Sequence, residues 1–526
     1  MTIVQWIIFF LVIQAIHGLG TWKLYVRAGR QAWEAFIPVY NAVVLMKIIN
    51  RPWWWTILLF VPIVNLIMFP VVWVETVRSF GKHSKADTWI TILTLGLYIY
   101  YVNYALDVNY IEDRSLTPRT EAGEWVSSIL FAVVAATIVH TYFIQPFTIP
   151  TSSLEKTLLV GDFLFVSKLH YGARTPKTTI SFPMVHDTIP FAGIKSYTNW
   201  PQLPYFRLPG FEDIERNDIV VFNWPVDTVP YFRYRGKETF KKPIDKKSNY
   251  VKRTVGVPGD SLKIVDGKIY IDNEPLLLPD RAKAQYSYVV KGKGKGFSLQ
   301  NLYVTYDITD PIGWYDQGKK EYYFTSLSEE ALVRFKNHPN VASVERIIDS
   351  AGNAEVSTFP NTNKTDWNRD NFGPIYIPEA GKTVEINRES LPFYKRIIET
   401  YEGEEMHLEN KITTKGTQVL LNGSPIDSYT FKQNYYFMMG DNRHNSEDSR
   451  YWGYVPENHV VGKPVFVWMS WDANGQGFSN KIRWERLFTT VGGDGKPVSY
   501  FYHFLIILVL IFGINFFWKK KKNKEQ

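Results

Sequence analysis

SLKIVDGKIYID, residues 261–272, alternates apolar and polar side chains with a period of two and interrupts that alternation at Asp266-Gly267. Successive residues of a strand point to opposite faces, so the stretch reads as two short strands with one apolar face each. Asp-Gly tolerates the positive φ of a tight hairpin, and VDGK (265–268) is read as the turn between them. TQVLLNG (417–423) repeats the pattern with an Asn-Gly turn in LNGS (421–424), and DIVVFNW (218–224) is a third such run. The middle of the chain is therefore expected to be antiparallel β-structure, with short helices over 327–337 and 388–401.

On either side of this region the composition changes. Mean hydropathy over the 526 residues is −0.16, but that averages a charged, glycine-rich middle with long apolar runs near both ends. A hydrocarbon core of roughly 30 Å asks for about 20 apolar residues. Five segments approach that length: Ile3–Leu19, Trp53–Val74, Trp89–Leu106, Trp125–Ile144 and Val498–Trp518. Pro62 and Pro70 make the second a kinked helix. Ala35–Ile49 reads as a re-entrant or interfacial piece. The first segment is read as a retained anchor, because its polar start carries no lysine or arginine and no small-residue cleavage site follows it.

The formal charge of +8 owes much to lysines beside apolar segments, including Lys519 to Lys522. Such flanks orient spans and sit on the cytoplasmic side. That expectation places the tail inside and residues 145–497 outside. Nucleic acid is not expected as a partner, since no motif for it is present. With no cysteine in the chain, disulfides, thiolate metal sites and a thiol nucleophile are excluded.

Three stretches carry candidate chemistry. FTIPTSSLEKTL (147–158) sets two serines just past a proline-fixed bend, which suits either a polar turn or a rigidly presented nucleophile. No histidine motif accompanies it; His140 lies in a span, and His444 and His459 stand among polar residues. A lysine can serve as base if partly desolvated. SNYVKRTVGVPGDSLKI places Lys252 in an alternating apolar strand, a position that by itself equally suits a lysine facing water. MMGDNRHNSEDSRYWGYVPENHVVGKPVFVWMSW (438–471) is a dense polar run before an apolar strand, either a solvated loop or a shell supporting a reactive group.

Taken in order, IPTSSLEKTLLVGDFLFVSK, NDIVVF, YVKRTVGVPGD and GDNRHNSEDSRYWGYVP resemble the bacterial type I signal peptidases, membrane-bound Ser/Lys endopeptidases that remove signal peptides. The matched blocks cover about a sixth of the chain. The resemblance implies Ser153 as nucleophile, Lys252 as general base, and an oxyanion hole formed by the Thr151 hydroxyl and the Ser153 amide. Ser446 falls where the family orients its lysine, and Arg253, Asp441, Asp448 and Arg450 fall on its structural polar cluster. Phe147, Ile149, Pro150, Leu154, Leu158, Tyr250 and Val251 fall on the pocket that accepts small side chains, giving cleavage in an Ala-x-Ala pattern. The family needs no metal or organic cofactor. Implied partners are the signal peptides of exported preproteins, the lipid bilayer and the export machinery, at the bacterial cytoplasmic membrane with the catalytic part on the outer side.

The resemblance also implies a mainly β fold with several transmembrane helices. Its expected divisions are a multi-span membrane region (1–124), a helix preceding the catalytic part (125–144), and a catalytic β core (145–261 and 431–497). An inserted β-rich region (262–430), a C-terminal helix (498–518) and a basic cytoplasmic tail (519–526) complete the chain. Apart from Leu154, which stands where methionine is frequent and keeps its volume, two positions depart from the family: Lys156 where proline is frequent, and His444 where aspartate is frequent. A related Ser/Lys peptidase with another target and a non-catalytic scaffold remain the alternatives, the second disfavoured because Ser153 and Lys252 are both present.

Overall fold

The computed structural model describes residues 2–229, 238–294, 296–477 and 479–525. The chain divides into two compact units, one of residues 1–143, 174–207 and 228–246, the other of 144–173, 208–227 and 247–526.

The first unit is helical. Its long helix, Ile3–Arg27, opens on a capping box in which Thr2 and Gln5 satisfy each other's backbone amides. Leu24, Val44, Leu45, Ile48, Val72 and Val102 form its core. Ala35–Ile49 contains the helix Tyr40–Ile48, whose Val44 and Leu45 are buried there.

Two expected spans are not continuous helices of membrane length. Trp53–Val74 breaks after Pro62, where Ile63 takes a left-handed φ of 70°, and only Asn65–Ser79 continues as helix. Fifteen residues rise about 22 Å, short of the hydrocarbon core. Arg51 and Arg114 both reach Glu75, at 3.1 and 2.5 Å, so the two ends of the supposed span lie side by side. Trp89–Leu106 is likewise split into Lys85–Leu93 and Tyr98–Tyr104, with Leu95 and Gly96 at positive φ between them. Hydropathy registers composition and is blind to these breaks. Among the described residues three helices are long and apolar enough to cross a membrane: Ile3–Arg27, Glu121–Phe143 and Phe501–Trp518. The N-terminal region thus holds one such helix before residue 121, where three were expected.

The second unit is built on antiparallel strands. Its main sheet uses β1 (Ile144–Thr148), β2 (Asp162–Ser167), β3 (Ile219–Asn223), β4 (Asn249–Gly256), β5 (Tyr435–Met439) and β6 (Val460–Ser470). They lie in the order β1-β2-β6-β3-β4-β5, with Val455–Pro456 beyond β5 and Thr489–Thr490 on β6. β1 is at one edge. β3 and β4 are interior and read as nearly continuous buried runs, as strands covered on both faces do.

Smaller sheets fill residues 261–430. Asp266-Gly267 and Asn422-Gly423 take the positive φ values their hairpins require, as the alternation predicts. The expected helices appear as Glu329–Phe335 and as Leu391–Arg396, which runs on in a wider π turn to Glu404. Residues 285–346 form a compact α/β piece with its own core, including Val290, Leu302, Phe324 and Phe335. The mainly antiparallel β class with membrane-length helices is the observed fold.

Candidate active site

The turn after β1 is fixed before any chemistry is considered. Ile149 both donates to Asp162 O and accepts from Gly161 N, each at 2.9 Å, which ties the chain leaving β1 to the start of β2. Pro150 follows, Thr151 is extended, and Ser152–Leu154 close one 3-10 turn. Leu154 and Leu158, each 1% exposed, sink into the core under the turn and hold it from below.

Lys252 lies on β4 opposite Val220 of β3. Because β4 is interior and covered, a side chain that alternation alone could send to water is only 3% exposed. Its Nζ donates to Ser153 Oγ at 2.6 Å, joining two residues 99 positions apart. Burial pulls the amine from 10.5 down to about 8, against the opposing pull of Asp448 and Glu447.

Two buried ion pairs frame this dyad. Arg253 forks onto Asp441 at 2.8 and 2.7 Å, and Asp441 also accepts from Thr157 at 2.7 Å. Burial raises the Asp441 carboxyl, but Arg253, together with Arg443 and the Thr157 hydroxyl, reverses this and leaves it below its ordinary value. Arg450 forks onto Asp448 at 2.8 Å through both nitrogens, and Asp448 accepts from the Gly440 amide at 3.1 Å. Planar bidentate pairs of this kind set orientation as well as charge.

Ser446 is 8% exposed and its Oγ has no hydrogen-bond partner among the described residues, so the structure does not join it to Lys252. Thr151 is exposed beside the turn. Ile149, Leu154 and Leu158 lie in one apolar cluster with Phe147 and Val251 packed against it. Tyr250 belongs to a different cluster and stacks on Trp224 at 5.2 Å, while Pro150 is exposed.

Both departures from the family pattern have partners. Lys156, at φ 71°, donates to Asp307 Oδ1 at 2.8 Å, which directs its charge to the 285–346 piece. His444 Nδ1 accepts from the Ser287 amide at 3.1 Å, which leaves Nε2–H to donate to Asp370 at 2.9 Å. His459 sits between Asn223 O and the Glu405 carboxylate, both at 2.9 Å. Neither histidine is hydrogen-bonded to Ser153.

Sequence reasoning missed several neighbours. A Cβ on Gly440 would meet Ser446 Oγ at 2.3 Å and Ser153 O at 2.5 Å, so only glycine lets the two turns approach. The Asn442 amide donates to Ser153 O at 3.1 Å, and Asn445 Nδ2 donates to Ser152 Oγ at 2.9 Å. These three stand inside the polar run read from sequence and could have been singled out there. Gln285 Nε2, which donates to Glu155 O at 2.7 Å, is 130 positions away and gave no local signal.

This chain is similar to known proteins over most of its length. Residues 122–345 and 376–471, more than half of the chain, match the family described as signal peptidase, peptidase S26. Residues 33–113 match a family of unknown function (DUF5684). Signal peptidase I of Buchnera aphidicola subsp. Acyrthosiphon pisum (strain APS) is 26% identical over 354 residues, covering 67% of this chain and 77% of that one. Signal peptidase I of Haemophilus influenzae is 26% identical over 391 residues, 72% of this chain and 79% of the relative. For Helicobacter pylori (strain ATCC 700392 / 26695) the figures are 24% over 395 residues, 71% and 93%.

Proposed function

The chain belongs to the signal peptidase family, peptidase S26, and from that membership we propose how its own residues carry out the reaction. It is a membrane-bound serine endopeptidase that removes signal peptides from preproteins. In our reading, neutral Lys252 accepts the Ser153 proton while Ser153 Oγ attacks the carbonyl carbon of the residue before the cut. The Thr151 hydroxyl and the Ser153 amide hold the oxyanion. The lysine ammonium then protonates the leaving amine as the C–N bond breaks, giving the mature amino terminus and an acyl-enzyme. Water, deprotonated by the same lysine, releases the signal peptide as a carboxylic acid.

The observation that carries this reading is the 2.6 Å contact between Lys252 Nζ and Ser153 Oγ with the amine buried. The edge position of β1 supports the mode of substrate binding, because an extended peptide can add as a further strand beside Phe147–Thr148. The buried Ile149, Leu154 and Leu158 support selection of small side chains, since a close-packed wall resists overpacking. Arg253–Asp441 and Asp448–Arg450 are read as the rigid frame, and Ser446 as a hydroxyl that reaches the lysine once the ammonium forms.

We further place the protein in the bacterial cytoplasmic membrane, with residues 145–497 outside and the lysine-rich tail inside, where it meets substrates leaving the export machinery. Losing two expected spans together leaves this parity unchanged, and residues 28–120 then lie on the cytoplasmic side. The main-sheet segments are read as the catalytic core and 262–430 as an insertion.

The test is cleavage of a purified preprotein bearing Ala-x-Ala by the full chain in detergent, with labelling by a β-lactam-type serine acylator. Ser153→Ala and Lys252→Ala are each expected to abolish cleavage, and Ser153→Ala to abolish labelling. Labelling that persists in Ser153→Ala removes Ser153 from the role.

A further inference from the structure

The turn that carries Ser153 is gripped from outside the main sheet. Its grip comes from residues 285–346, which sequence reading left without a role. Contacts from that piece reach the turn, or the loop beside it, along three routes. Gln285 Nε2 donates to Glu155 O at 2.7 Å. Lys156 Nζ reaches Asp307 at 2.8 Å and Thr309 at 3.4 Å. The third runs through Asp310, whose Oδ2 accepts from Asn442 Nδ2 at 2.6 Å, from Asn445 Nδ2 at 3.3 Å and from the Ser326 hydroxyl.

The two asparagines hold the nucleophile turn directly. Asn442 donates through its backbone amide to Ser153 O and through Nδ2 to Ser152 O, both at 3.1 Å, while Asn445 Nδ2 donates to Ser152 Oγ at 2.9 Å. A carboxylate acceptor strengthens the bonds it receives roughly twofold over a neutral one. The Asp310 charge therefore fixes two side-chain amides whose other bonds go to Ser152 O and Ser152 Oγ, and it holds Asn442 where its backbone amide meets Ser153 O. Behind it stands a packed core of Val290, Leu302, Ile308, Phe324 and Phe335, so the brace is a rigid body.

We propose that Asp310 is a positioning residue for the nucleophile. Through Asn442 and Asn445 it fixes the 152–154 turn, so that Ser153 Oγ and the Ser153 amide converge on one carbonyl group. This rests on the reading of Ser153 as nucleophile and deepens it by giving the 285–346 piece a part in the reaction. The asparagines stand in the polar run where the resemblance is strongest, whereas Asp310 comes from the 285–346 piece, outside the motifs that carry it.

The experiment uses the full chain in detergent with the same preprotein. Displacing reacting groups by a fraction of an ångström to one ångström costs up to about a hundredfold in rate. Asp310→Asn is expected to lower kcat about tenfold to a hundredfold with KM within about twofold of wild type and the pH midpoint unmoved. In an Asn442→Ala background the same substitution is expected to add less than about threefold, because both break one chain of contacts. Glu330→Gln, which weakens the ion pair between Glu330 of the same piece and Lys283 just before it, is expected to leave kcat unchanged.

The proposal is overturned if Asp310→Asn keeps kcat within twofold, if the change falls on KM, or if the losses from Asp310→Asn and Asn442→Ala multiply in full. Should Asp310→Asn fail to fold, Asn445→Ala cuts the same link without touching the insertion, and full kcat in that variant overturns the proposal as well. Wild-type protein that escapes acylation at Ser153 defeats the dyad reading instead, so the two failures are distinguishable.

Discussion

Replacing Lys252 by methionine removes the charge and keeps the length of the side chain, and the structure says what this does to stability. The folded amine lies at about 8 against an ordinary 10.5, a fall of about 2.5 units. At about 1.4 kcal/mol per unit this is a burden of about 3 kcal/mol on the folded state. Below pH 8 both states hold the proton and the burden is complete. Between about 8 and 10.5 the folded state releases its proton first, so stability rises with pH across that window, and above it the burden is gone.

Methionine never carries the burden but forfeits the hydrogen bond to Ser153, worth about 1 kcal/mol. Lys252→Met is thus expected to be inactive yet more stable than wild type by about 2 kcal/mol at pH 7, with the advantage gone near pH 9.5. Wild-type cleavage is expected to rise about tenfold from pH 7 toward a plateau above 8 as the neutral amine accumulates. Paired unfolding curves of the full chain in one detergent at both pH values read the first effect, and initial rates read the second. A variant less stable at pH 7, or a difference that ignores pH, refutes the claim that the lysine is held dry.

Two further outcomes follow from the same geometry. Gly440→Ala is expected to push Ser446 and Ser153 apart, because the new methyl would stand at 2.3 and 2.5 Å from their atoms. Cleavage should fall by about a hundredfold or more while the protein remains folded, and loss of acylation by the β-lactam-type label checks it. Thr151→Val removes the hydroxyl we read as one oxyanion donor while keeping the branched shape; kcat should fall about a hundredfold to a thousandfold with KM nearly unchanged, and Thr151→Ser should restore most of it.

What could be read from sequence was whatever a short window determines. Asp266-Gly267 and Asn422-Gly423 announced their hairpins because the required φ is a local property, and β3 announced itself as one of the short strand-like runs, DIVVFNW, bounded by polar residues. Trp53–Val74 misled for the complementary reason: average hydropathy contains no term for Ile63 turning left-handed or for Arg51 folding back to Glu75. Lys252 shows the boundary between these cases. Its strand was legible, but whether that strand was interior, and hence whether the lysine was dry, depended on β3 and β5 arriving from residues 219–223 and 435–439. Desolvation is a property of the sheet, and only the four ordered motifs, a record of chains that had folded the same way, carried it into the sequence. Asp310 belongs to no motif, so its place beside Asn442 could be found only by folding the intervening 132 positions. A chain that varies the segment around Asp310 while keeping its motifs can therefore alter how firmly the turn of Ser153 is held without changing any residue that a motif would flag.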